Sequence, residues 1–162
     1  MKTHSYQATL QWAADGAGTV NYRSYLRDFT VASPQKPEIA GSSDPAFRGN
    51  PSRYNPEELL VASLSSCHLL WYLHLCSRNG IAVLEYRDDA RGTMRENPDG
   101  SGEFVLVELH PAVTIAPEGD RARALALHEE AHRLCFIARS VNFPVEVHGE
   151  TTLACRIPEF ET

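Results

Sequence analysis

The chain has no excess of basic charge: its 162 residues carry 15 Lys and Arg against 21 Asp and Glu, for a formal charge of −6. A nucleic-acid or anionic-membrane partner would need a basic patch, so both are set aside. The N-terminus shows no apolar signal-peptide core, which places the expected chain in the cytoplasm. Repeats and low-complexity segments are absent. Cysteine is scarce, with four residues (Cys67, Cys76, Cys135 and Cys155). In a reducing cytosol, cysteines are more often catalytic, metal-binding or core residues than structural disulfides. With 43% hydrophobic residues the chain can build a real core as one domain over 1–162.

One stretch also lacks charge. From Leu59 to Cys76 no residue carries a formal charge. Its length suits a membrane span, but three serines and two histidines interrupt it and Glu57-Glu58 abuts it. It reads instead as a core helix spanning 55–80, apolar on nearly every side and so expected to be buried on most faces. Asn55 suits the N-cap, Pro56 the first helical position, and Glu57 and Glu58 the positive end of the helix dipole. Asn79-Gly80 supplies a left-handed stop. A thiol, Cys67, lies in the middle of this helix.

Around it the pattern is mixed. Residues 3–12 alternate with period two, as a half-buried strand does. A turn follows at 15–18, then a strand over 19–25 and a short one over 29–32. Residues 33–54 are rich in Pro, Gly, Ser and Asp and form a loop of about 20 residues, a length usually tied to function. Beyond the helix, 83–95 and 104–116 have strand character about a turn at 97–100. A second helix is expected over 120–140 and a last strand over 145–154. The order β-β-β-α-β-β-α-β is an α+β arrangement, with N-terminal strands and loop (1–54), central helix (55–80), then hairpin, second helix and last strand (81–162).

Cys67 and Cys135 fall on the two predicted helices. As free thiols they suit a core; as chemistry they need a thiolate. An arginine held over the sulfur would favour the anion and polarise a peroxide oxygen. Arg27, Arg48 and Arg53 precede the helix, and Glu57 or Glu58 could pair a buried guanidinium. Glu57 stands roughly 15 Å from Cys67 along a straight helix, so it would act through the arginine.

Asn55-Pro56-Glu57-Glu58-Leu59-Leu60 followed by small residues and Cys67, together with Leu134-Cys135-Phe136-Ile137-Ala138-Arg139-Ser140-Val141, resembles the OsmC/Ohr family of thiol peroxidases. The resemblance covers nearly the whole chain. It implies an intertwined homodimer with packed central helices and no metal or organic cofactor. Cys67 would match the peroxidatic cysteine, which attacks an organic hydroperoxide, and Cys135 the resolving cysteine, which closes a disulfide. A dithiol, lipoyl-type in the Ohr branch, would reduce that disulfide. Glu57 would match the glutamate that orients the catalytic arginine, and Arg48 best suits the OsmC-branch position, with Arg27 the rival. Phe136 replaces the usual proline, and His68 beside Cys67 departs from the pattern.

Two alternatives remain open. One keeps the fold with unreactive thiols, as a small-molecule-binding or stress protein. The other is a zinc hydrolase: His128-Glu129-Glu130-Ala131-His132 satisfies H-E-x-x-H, with Cys135 at i+7 on the same face. Against it, His128, Glu129 and Glu130 read as a solvated helix face, His132 as a neighbour of the thiol, and His68 as packing.

Overall fold

The computed structural model describes residues 2–16 and 18–155. The backbone groups into two compact units, Met1–Leu60 and Val61–Thr162.

The first unit holds a three-stranded antiparallel sheet in the order β1-β2-β3: β1 Thr9–Gln11, β2 Phe29–Ala32 and β3 Ile39–Gly41. Three expectations change here. The alternation over 3–12 yields only three strand residues, because Tyr6 and Leu10 are 92% and 65% exposed and gain no buried face. The segment 19–25 is not a strand. Its polar side chains bind their own backbone instead: Asn21 accepts the N–H of Arg23, and the Ser24 hydroxyl donates to Gly18 O, the local competition that withdraws backbone from a ladder. The loop 33–54 contains β3 and a 3₁₀ turn at Pro45–Phe47. Of the expected turn at 15–18, Ala17 lies outside the described residues; Gly16 and Gly18 both have positive φ.

Helix α1, Pro56–Arg78, starts and stops as its punctuation predicts. The Glu58 N–H donates to Asn55 Oδ1 at 2.7 Å, and the Asn55 N–H donates to Glu58 Oε2 at 3.0 Å. This reciprocal box satisfies two of the donors that a helix start leaves free. At the far end Gly80 takes φ +69°, Gly80 N–H reaches Ser77 O and Ile81 N–H reaches Cys76 O, a Schellman stop that needs a residue without Cβ strain.

In the second unit, the expected hairpin is there but bent. Strand 83–95 divides into β4 Val83–Asp88 and β5 Arg91–Glu96; strand 104–116 into β6 Gly102–Leu109 and β7 Pro111–Ile115. Asp88 marks the bend: its carboxylate accepts from the Ser65 hydroxyl and from His110 N–H. The last strand also divides, into β8 Val145–Val147 and β9 Glu150–Leu153, so the ladders run β4-β7-β9 and β5-β6-β8, with β8 and β9 each parallel to its neighbour. Helix α2 is Arg121–Leu134, capped by the Asp120 side chain. It ends before Cys135, whose backbone is extended, and a 3₁₀ turn follows at Ala138–Ser140.

Two apolar clusters hold this unit. Tyr72, Leu75, Cys76 and Ile81 pack with Val113, Ile115, Ala124, Leu127 and Ala131. Leu64 packs with Val107 and Leu109, bordered by Ile137, Val141, Phe143, Val145 and Val147. Within one chain α1 buries a single stripe, Leu64, His68, Tyr72, Leu75 and Cys76, less than its composition suggests. Leu70 and Leu73 stand 67% and 37% exposed.

Candidate functional site

The two helix-associated cysteines, 68 positions apart in the chain, meet in the second unit. Cys67 projects from the middle of α1 and is half-buried; Cys135 is 1% exposed. Both are free thiols, and the Cys67 side chain is near enough to contribute to the shift of the Cys135 thiol. The break of α2 at Leu134 makes this possible. Turning into extended backbone at Cys135 lets its Sγ accept the Ala138 N–H at 3.4 Å as the next 3₁₀ turn begins. Burial pushes the Cys135 thiol up to about 11; the Cys67 thiol adds to the rise and the Ala138 N–H opposes it. Cys135 is therefore a protonated thiol near neutral pH. Trp71, one turn beyond Cys67, sets its ring edge against Phe136, the residue after Cys135, at 5.4 Å between centroids. Cys76 is buried in the apolar core, and Cys155 is exposed.

The first unit has a cavity of about 390 Å³ lined mainly by apolar and aromatic residues, among them Leu10, Trp12, Tyr25 and Phe29, with Arg27 and Glu57 as its charged members. Arg27 stacks on two tyrosine rings, 4.4 Å from Tyr22 and 4.3 Å from Tyr25, and donates to the carbonyls of both. Glu57 Oε2 is buried with no hydrogen-bond partner among the described residues. An acceptor left this way costs stability unless a guest satisfies it, and such groups gather at functional sites. Arg48, the arginine the family resemblance favours, lies elsewhere: it is the exposed, left-handed end of the 3₁₀ turn at Pro45–Phe47 (φ +66°) and does not line the cavity with Glu57. Arg53 is engaged by Asp28 at 2.9 Å.

In the H-E-x-x-H run Glu129 is exposed, as a solvated face requires, but His128 departs from that expectation. His128 is 5% exposed. Its ring stacks on Tyr72 at 4.0 Å and lies parallel to His68 at 5.4 Å, with His128 Nδ1 bonded to His68 Nε2 at 3.1 Å. His68, expected only to pack, is thus one half of a buried imidazole pair. Burial, then the His128 and His132 charges, lowers His68 to about 3; burial lowers His128 to about 4. Both rings are neutral near pH 7, and a His128 locked between two rings is not presented as a zincin ligand. Gly149 permits the arrangement: a Cβ there would lie 2.5 Å from the His128 ring. A signal for the pair was available. His128 falls on the spacing Ala124, Leu127, Ala131, and His68 on Leu64, Tyr72, so each histidine sits on its helix's apolar stripe.

Comparison with known proteins agrees with this fold. The family model described as OsmC-like protein matches residues 49–149. The chain is similar to the structure of an OsmC-like protein of unknown function from Vibrio cholerae, at 28% identity and a TM-score of 0.81, over 93% of this chain and 100% of that one. An organic hydroperoxide resistance protein from Elizabethkingia anophelis aligns at 23% identity and 0.65, over 95% and 100%. That of Bacillus subtilis aligns at 18% and 0.58, over 91% and 98%. No curated protein matches the chain.

Proposed function

Because the chain belongs to the OsmC-like protein family, we propose that it is a cysteine-based peroxidase that reduces organic hydroperoxides. The observation that carries this reading is the proximity of the Cys67 and Cys135 side chains, close enough for one to raise the pKa of the other. Of the two, Cys67 is the more accessible and takes the role of nucleophile. Its thiolate attacks the terminal peroxide oxygen, the O–O bond breaks, and the alcohol leaves after taking a proton. Cys67 is then a sulfenic acid. The Cys135 sulfur displaces its oxygen as water and forms a disulfide. A dithiol reductant, lipoyl-type by family resemblance, returns both thiols by exchange.

The positive charge that favours the thiolate is assigned to an arginine oriented by Glu57. The shared cavity of Arg27 and Glu57 supports Arg27 for this role over Arg48. The apolar lining of that cavity suits the hydrocarbon part of an organic hydroperoxide. A second copy of the chain is the proposed cover for Leu70 and Leu73, whose exposure on one apolar helix is the mark of an interface.

The test is to add one equivalent of cumene hydroperoxide to reduced protein, count free thiols and map the digest by mass spectrometry. Loss of two thiols per chain with a Cys67–Cys135 crosslink supports the cycle. Cys67→Ser abolishes turnover, and Cys135→Ser allows one oxidation without a disulfide. Thiols unchanged after minutes would favour the second reading, an OsmC-like protein with inert thiols that binds a small molecule. The burial that raises Cys135 is the observation on that side.

A further inference from the structure

Outside the thiol pair, the second unit repeats one short pattern on two neighbouring strands. Glu108-Leu109-His110 ends β6, and Glu146-Val147-His148 ends β8. The strands are parallel with Glu108 opposite Glu146 and Leu109 opposite Val147. Leu109 and Val147 turn to the apolar cluster, so the alternation of a strand puts both glutamates and both histidines on the other face. Two carboxylates directly opposite on one face repel and weaken the ladder. Here they converge. His148 Nε2 lies 3.3 Å from Glu146 Oε2 and 3.9 Å from Glu108 Oε1, and one ligand atom from each of the three residues falls within 4.8 Å of the others. The His110 ring lies against the His148 ring, 5.1 Å between centroids and 22° between planes, which holds the imidazole in place.

We propose that Glu108, Glu146 and His148, with His110 beside them, bind a divalent transition-metal ion of the zinc class. Two carboxylate oxygens and imidazole nitrogen form a donor set that such ions accept. Ligands about 2.1 Å from a tetrahedral metal stand about 3.4 Å from one another, near the 3.3 and 3.9 Å that separate His148 Nε2 from the two carboxylates. An ion between the glutamates would also offset their repulsion and explain why like charges share this register. The fourth position falls to water or His110. The site uses neither cysteine and none of the H-E-x-x-H residues, so it is independent of the proposed peroxidase cycle.

The probe is Co²⁺, titrated into the reduced full-length protein and followed by absorption and calorimetry, because its spectrum separates nitrogen and oxygen ligands from thiolate. The expected result is one equivalent per chain, visible d–d bands without a thiolate-to-cobalt band, and affinity weakened at least about tenfold in His148→Gln and in Glu146→Gln. His132→Gln, which lies outside the four, keeps wild-type affinity. Both substituted positions are about half exposed, so the variants should fold, and far-ultraviolet circular dichroism verifies it. Failure to bind, a thiolate band from metal seated on the cysteines, or affinity unchanged in both variants would overturn the proposal.

Discussion

Acidification should destabilise this protein through its buried imidazole pair, with a calculable size. His68 is fully buried and His128 is 5% exposed, and both have pKa values lowered from 6.5, to about 3 and about 4. A lowered histidine pKa means that the unfolded chain binds the proton before the folded one. Stability is therefore complete above about pH 6.5 and declines as pH falls toward the folded-state values. At about pH 5 an unfolded histidine is protonated and the folded pair is not, which costs about 2 kcal/mol per ring and about 4 kcal/mol for the two. For a chain of this size that lowers Tm by about 8 to 16 °C between about pH 7.5 and pH 5. The assay is thermal unfolding by circular dichroism across that range at one protein concentration, since association would shift Tm. Wild type is compared with His68→Gln/His128→Gln and with His128→Gln alone. Other groups titrate in both proteins, so the difference in slope is the readout. The double variant should lose about 4 kcal/mol of the pH dependence and the single about half. Parallel curves for wild type and double variant would show that the folded pair takes up protons without penalty and would refute the argument.

Other substitutions test the local structure and the assigned charge. Asn55→Ala removes the acceptor that holds Glu58 N–H at 2.7 Å and should cost about 1 kcal/mol in denaturant unfolding. Gly149→Ala drives a methyl into the His128 ring and should destabilise by about 1–3 kcal/mol, with the His68 and His128 imidazole resonances displaced in NMR spectra. If Arg27 serves the thiolate, Arg27→Ala should reduce kcat/KM for cumene hydroperoxide by about 100-fold or more while Arg48→Ala stays near wild type; the reverse order would return the role to Arg48.

How much of the fold could be read ahead depended on whether the signal was local. The start of α1 is written in four adjacent residues, Asn55 to Glu58, and its end in Asn79-Gly80, so both limits could be read from the chain. The turn at 97–100 and strand β2 were legible for the same reason. Errors came where a local pattern needed a distant partner. The alternation over 3–12 has the period of a strand, yet most of it finds no layer to bury its apolar face. The segment 19–25 has β-prone residues, but Val20 and Tyr22 are 72% and 57% exposed, so side-chain bonds from Asn21 and Ser24 prevail over strand propensity. The long strands were divided by contacts no window contains: Asp88 held by Ser65 and His110, and Gly149 pressed against His128.

The site divides along the same line. Cys67 and Cys135 stood out as thiols on apolar elements, but their separation in sequence carries no distance, and what joins them is the early end of α2 together with a backbone N–H given to sulfur. The choice of arginine illustrates the limit of family resemblance. Arg48 has the better position in sequence, whereas Arg27 has the better surroundings: two tyrosine faces, two carbonyl acceptors and a cavity shared with a buried carboxylate that lacks a partner among the described residues. A guanidinium is positioned by what stacks on it and what it donates to, and neither is a property of its place in the chain. The histidines teach the converse. A polar residue at a core position of an otherwise apolar stripe needs a buried partner, so His68 on α1 and His128 on α2 each required one. Reading both stripes together would have found the pair; reading H-E-x-x-H as a motif concealed it.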